Sequence, residues 1–298
     1  MSIKTIVCAF GGGTYELNAL SSALSLARAG HAVLRVVHIA APPLLPDAMG
    51  IGAYASAAYG DGSVIDVLEA DERQLTREAE KLTRDYCERY SVTLHSEAAP
   101  VVMGQAQAFF RASEGDTHVQ LPRHALTADL IVTGYDNRPD GDLDMLIAGL
   151  FDAAKPVLAI PRTPGVVLSP TGFAKTVVVA WDGSLAASRA LREAVPHLIH
   201  AEAVYIVRVR GNNDDAEDAE GDADAKAYLA SHCIDAKLVY TSRGHHTIGE
   251  AVLAQATALK ADLLVMGAYG HSHIGEMLWG GATDHVVKHA EIPLLLAR

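Results

Sequence analysis

Cysteine is scarce: the chain has three, Cys8, Cys87 and Cys233, far apart and without CxxC spacing. An odd, scattered set argues against a disulfide framework and a thiolate metal centre, and predicts three small buried hydrophobes. No apolar run approaches the roughly 18 residues of a membrane span. The opening MSIKTIVCAF lacks the charged, apolar and small-residue zones of a secretory leader. Both absences predict a cytoplasmic protein with no membrane partner. Basic residues are in deficit, with 24 Lys and Arg against 36 Asp and Glu and a formal net charge of −12. Nucleic acid is excluded as a partner, because counterion release needs a basic patch. An anionic ligand must then be held by local backbone dipoles. There is no GxxxxGK[ST], and FGGGTYE after the first apolar run is not GxGxxG, so P-loop and dinucleotide-binding readings fail.

What the sequence does contain is a repeat. At 298 residues, half of them hydrophobic, the chain can bury a sizeable core. KTIVCAF (Lys4 to Phe10) returns as KTVVVAW (Lys175 to Trp181), and later landmarks follow in order. HAVLRVVHI matches AEAVYIVRV, ADLIVTG matches ADLLVMG, and KPVLAIPR matches EIPLLLAR. Two copies of one domain follow, at 1–162 and 175–298. Between them the Pro- and Gly-containing stretch 163–174 reads as a surface linker.

Short Val, Ile and Leu runs alternate with stretches of helical period such as Glu16 to Gly30 and Ile248 to Ala261. Strands apolar on both faces and separated by helices predict, in each half, a doubly wound parallel α/β sheet of five strands with helices on both faces. Two segments fit less well. The Gly-, Ala- and Pro-rich stretch Ala41 to Ser63 reads as an extended loop, and the acidic stretch Gly211 to Lys226 as a solvated loop leading into a helix.

In an open parallel sheet ligands bind beyond the carboxyl ends of the strands, where strand order reverses. With the first strand of each half central, that point lies between strands one and four. In the second half their ends are AWDGS (Ala180 to Ser184) and VMGAYG (Val265 to Gly270). Gly267 and Gly270 let the backbone take positive φ and bring its amides close to a phosphate. Gly280 and Gly281 open ATDHVVKHA, whose first-turn amides lack intrahelical partners and carry the positive end of the helix dipole. Thr283 adds a hydroxyl, and Asp182 is placed to accept from a ribose. The plainer reading of the same residues stays open: glycines that make turns, and an Asp182 that starts a turn or caps a helix.

These residues resemble the universal stress protein family. Its nucleotide-binding members carry Gly, two residues, Gly, nine residues, then Gly followed by Ser or Thr. Gly267, Gly270 and Gly280 fall in that register, and VVVAWDGS resembles the family's opening strand. The resemblance covers nearly the whole chain as a tandem pair, closely in the second half and loosely in the first. It implies strand order 3-2-1-4-5 and ATP, with or without Mg²⁺, at the switch point. By this resemblance Asp182, beside Ala180, contacts the adenosine, and the backbone near Val209 touches adenine. Met266, Gly267, Gly270 and His271 line the ribose and phosphate path; Gly280, Gly281, Ala282 and Thr283 hold the phosphates. It also implies a dimer edge at the fifth strand, so that Pro156 to Ile160 and Pro293 to Ala297 pair within one chain as an internal pseudo-dimer, with a homodimer also open.

There are departures. Position 281 is Gly where the pattern has Ser or Thr, removing a donor worth about 1 kcal/mol. The first half ends its opening strand in AFGGG, without a carboxylate. Its fourth strand runs into GYDNRPDGDLD with no second glycine in register, and AGLFDAAKPV leaves almost no room for a last helix. This half is therefore expected to bind no nucleotide and to serve as a degenerate packing partner. No nucleophile or acid and base pair is evident, so the family's slow ATP hydrolysis is the most activity expected. Two rivals stay open. One is a nucleotide-free dimerisation and interaction module of the same fold. The other is a histidine-dependent zinc protein or enzyme using His271, His273, His285 and His289 with His245 and His246, which the lack of supporting cysteines or an HExxH disfavours. Met277 and Trp279 read as core.

Overall fold

The computed structural model describes residues 2–13, 16–40, 63–96, 99–138, 141–168, 173–210, 218–268 and 281–298. Its strands are β1 (Thr5–Ala9), β2 (Val33–Ala40), β3 (Thr93–His95), β4 (Gln107–Glu114), β5 (Leu130–Tyr135) and β6 (Val157–Pro161), then β7 (Thr176–Ala180), β8 (Ala203–Arg210), β9 (Ala236–Ser242), β10 (Leu263–Gly267) and β11 (Leu294–Ala297). Helices of the first half are α1 (Leu17–Gly30), α2 (Ser63–Tyr90), α3 (Thr117–Ala125) and α4 (Asp144–Ile147), the last continuing as a π-helix over Ala148–Asp152. Those of the second are α5 (Leu185–Leu198), α6 (Asp218–Ser231), α7 (Ile248–Ala258) and α8 (Gly281–His289).

All described strands belong to one sheet, in the order β3-β4-β2-β1-β5-β6-β11-β10-β7-β8-β9. Within the second half this is the 3-2-1-4-5 order. The first half has the same order with one addition: the three-residue strand β3 pairs in parallel with β4 at the sheet edge. It is too short and too polar to show as a buried apolar run.

Two layers were expected; they meet as a single sheet through the fifth strands. β6 and β11 run antiparallel, with Leu294 opposite Ala159, Leu295 opposite Leu158 and Leu296 opposite Val157. All six side chains are fully buried, so the seam is continuous core and neither strand is left as an edge. Asn137 Nδ2 donates to the Ala290 carbonyl at 3.2 Å, and the Arg298 guanidinium lies 4.4 Å from the Phe151 ring centre. These polar contacts flank the seam.

Alternation along each strand divides the core into two layers. Ile6, Cys8, Val177 and Val179 face one way with residues of α1, α2, α5 and α6. Val7, Ala9, Val178, Leu264 and Met266 face the other with residues of α3, α4, α7 and α8. One device recurs at the start of each half. Asp129 Oδ2 accepts from the amides of Lys4 and Thr5 at 2.8 and 2.9 Å. Asp262 accepts from Lys175 and Thr176 at 2.9 and 2.8 Å. The repeated KT and AD pairs in the sequence thus close the same junction of strands one and four.

Three expectations need correction. Cys8 and Cys87 are buried, but Cys233 is exposed, because it follows α6 in a left-handed conformation at φ +61° that turns the chain out of the helix. The linker is more than surface. Leu168 is 2% exposed, and its amide donates to Ser22 Oγ at 3.0 Å, so the apolar patch of the linker is packed on α1. The acidic stretch is not wholly solvated, since α6 begins within it and Asp222 is completely buried. Of the other stretch, 41–62 lies outside the described residues, and Ser63 begins α2.

Candidate functional site

The switch point of the second half is formed by β7 and β10, parallel neighbours with Ala180 opposite Met266. Met266 is buried, and Ala180 is half-buried. Past Ala180 the chain turns sharply. Trp181 N donates to the Val207 carbonyl at 2.9 Å, Asp182 Oδ1 accepts from Ser184 N at 2.9 Å, and Gly183 takes φ +77°, a conformation glycine adopts without steric cost. Ser184 then caps α5, its Oγ accepting from Ala187 N at 3.1 Å. Asp182 therefore makes the turn that the plainer reading foresaw, and it also lies exposed at the carboxyl end of the sheet. Val209, half-buried on β8, lies two residues beyond the Ala180–Val207 pair on the next strand over.

Gly267 ends β10 against the first turn of α5. A Cβ built there would stand 2.5 Å from Ala187 N and 2.6 Å from the Ala186 carbonyl carbon. The glycine is needed for close packing of helix on strand. Gly281 begins α8, and among the described residues nothing lies within 4 Å of an added Cβ. Beside it Ala282 is half-buried and Thr283 is 6% exposed. α8 is held from the other side by α7, where a Cβ on Gly249 would meet the Ala282 carbonyl oxygen at 2.8 Å. Gly270, His271 and Gly280 lie outside the described residues, as do His273, Met277 and Trp279.

A charged pair in the second half and a charged trio in the first escaped the sequence reading. Arg208, at the end of β8, donates through Nη1 to Asp222 Oδ1 of α6 at 2.8 Å, with both side chains almost wholly buried. The same Nη1 lies 3.8 Å from where a Cβ of Gly183 would be, so this ion pair braces the turn that holds Asp182. In the first half Asp136 follows β5 and is gripped by Arg138 and by Arg162 Nη1 at 2.8 Å. The two guanidiniums hold the Asp136 carboxyl down at about 2. The loop folds back on itself here, where the sequence showed only a missing glycine.

Glu16 was also missed. The sequence reading found no carboxylate at the end of β1, yet the structure brings one there from the residue before α1. Glu16 is 6% exposed; Gly13 N donates to its Oε2 at 2.9 Å, and the Gly11 and Gly12 amides also favour its charged form. Burial raises its pKa against the lowering effect of those amides.

Of the histidines in the zinc reading, His271 and His273 lie outside the described residues. The rings of His285 and His289 stack at 4.1 Å, and His289 Nδ1 bonds the His285 carbonyl at 2.8 Å. His245 and His246 are exposed. Among the described residues, no group of three or more His, Cys, Asp or Glu is arranged to hold a metal ion, and no helix is long and apolar enough to cross a membrane.

Residues 174–298 match the family model described as the Universal stress protein family. No curated protein matches the chain. Among solved structures, a universal stress protein from Archaeoglobus fulgidus superposes with a TM-score of 0.73 at 16% identity, covering 100% of this chain and 97% of that one. A putative universal stress protein from Pseudomonas aeruginosa gives a TM-score of 0.56 at 14% identity, covering 99% and 93%. At such identities the likeness is one of fold, and it extends over both halves. The chain thus has the tandem universal stress protein fold, and its residues 174–298 match the model of the Universal stress protein family.

Proposed function

We propose that the second half binds an adenine nucleotide, ATP with or without Mg²⁺, and that the protein is a nucleotide-dependent regulatory component of a cytoplasmic stress response. The observation that carries the reading is the switch point. β7 and β10 are adjacent and parallel, the turn after one presents Asp182, and the helix that follows the other begins at Gly281, where no described atom would obstruct an added Cβ. Peptide amides at such a helix start bind anions without any lysine, as a chain of net charge −12 requires. In this reading Asp182 accepts from the ribose, Val209 borders the base, and Gly270, His271, Gly280, Ala282 and Thr283 surround the phosphates. The first half, 1–162, is a degenerate partner that binds no nucleotide, joined to 175–298 through the linker 163–174. Because β6 and β11 cover one another, a homodimer would form through another surface.

The runner-up, an interaction module without nucleotide, draws on Asp182 being engaged in its own turn. Purified protein denatured and stripped of its polypeptide separates the two. Adenine nucleotide released from wild type and absent from Asp182→Ala supports binding. None from wild type, with no thermal shift in millimolar ATP, supports the module.

A further inference from the structure

The two halves align through KTIVCAF and KTVVVAW, which sets Gly11, Gly12, Gly13 and Glu16 against Asp182, Gly183, Ser184 and Ala187. Their backbones correspond. Gly12 and Gly183 both take left-handed φ, +92° and +77°. Phe10 N and Trp181 N donate to Val37 O and Val207 O, each at 2.9 Å. A Cβ on Gly134 would lie 3.1 Å from Glu16 Cα, as one on Gly267 would lie against Ala187 N.

The chemical difference is where the carboxylate comes from. In the second half it belongs to the loop, on Asp182, which is exposed, and the helix side carries only the Ala187 methyl. In the first half the helix side carries it, on Glu16, and it folds back over the loop. A Cβ on Gly11 would stand 3.0 and 3.1 Å from the two Glu16 carboxylate oxygens. Glycine at 11 is what admits Glu16, and the carboxylate fills the space that an aspartate at 11 would enter. Gly13 N donates to its Oε2 at 2.9 Å, and the Gly11 and Gly12 amides of the same loop favour its charged form; a run of loop amides of this kind otherwise receives an external anion.

We propose that Glu16 is an internal stopper: its carboxylate closes the crevice between β1 and β5 by occupying the glycine loop, and so holds the first half shut to anionic ligands. This deepens the reading of that half as a non-binding partner, and it stands whether or not the second half binds a nucleotide.

The test follows the amide resonances of Gly11, Gly12 and Gly13 in the full-length chain, wild type, Glu16→Ala and Glu16→Gln, during titration with inorganic phosphate at constant ionic strength. In Glu16→Ala these amides should respond at phosphate concentrations at least tenfold lower than in wild type. Glu16→Gln, which keeps the shape and one oxygen acceptor, should stay as unresponsive as wild type. Equal responses in wild type and Glu16→Ala would overturn the proposal. Should Glu16→Ala not fold, Gly11→Asp with Glu16→Ala rebuilds the arrangement of the second half; recovery of folded protein supports the exchange, and failure to recover contradicts it. Thr283 reports the second half separately, so the two readings fail independently.

Discussion

Gly267 and Ala187 approach so closely that a single methyl group on the glycine would stand 2.5 Å from the backbone nitrogen of the alanine. The obstacle is main chain and cannot rotate away. Gly267→Ala should force α5 off β10 and destabilise the fold by about 2–3 kcal/mol, read as a lower urea midpoint with unchanged slope. The loss should appear with no nucleotide present, since its cause is packing.

Gly281 is the opposite case. With nothing among the described residues within 4 Å of an added Cβ, Gly281→Ser should leave stability within about 0.5 kcal/mol of wild type. On the proposed function it restores a hydroxyl donor and should tighten ATP binding roughly five- to tenfold, about 1 kcal/mol. Calorimetry checks the affinity and a thermal melt the stability.

Arg208→Met would leave Asp222 buried without its 2.8 Å partner. Removing one member of a buried ion pair typically costs about 3–5 kcal/mol, and a loss near that size is expected by denaturant unfolding. Replacing both, Arg208→Met with Asp222→Leu, should recover most of it. If the single variant is as stable as wild type, the pair does not brace the turn at Gly183.

His197 gives a pH signature. It is fully buried, rests edge-on to Phe173 at 6.1 Å, and is pushed down to about 4 by burial and by the neighbouring His200. An unfolded histidine titrates near 6.5, so below that value the unfolded chain takes up a proton that the native one refuses. The stability this group contributes is complete above about pH 6.5 and is lost as pH falls towards 4, on the order of 3 kcal/mol in all. His197→Leu should lose markedly less stability than wild type between pH 7 and pH 4.5.

Much of the fold was legible because both signals that reveal it are local. Val, Ile and Leu runs mark strands buried on both faces, and the recurring KT and AD pairs mark where strands one and four join, as Asp129 and Asp262 do. At the candidate site the turn at Asp182 and the strand end at Gly267 were legible, and the structure shows the first as a turn closed on Ser184 N and the second packed against Ala187. Charged partners were not legible. Asp222 looked like one of many solvated acids, and Glu16 like the start of a helix, because periodicity reports which positions are apolar and says nothing of which distant group a carboxylate will meet. Strand β3 escaped for a related reason: its three residues pair at an edge, where burial leaves little mark on sequence.

The asymmetry between the halves is read by titrating the intact chain with ATP in a calorimeter. One molecule bound per chain, abolished by Asp182→Ala and untouched by Glu16→Gln, is the predicted result. Two per chain, or heat of binding that survives Asp182→Ala unchanged, would contradict it.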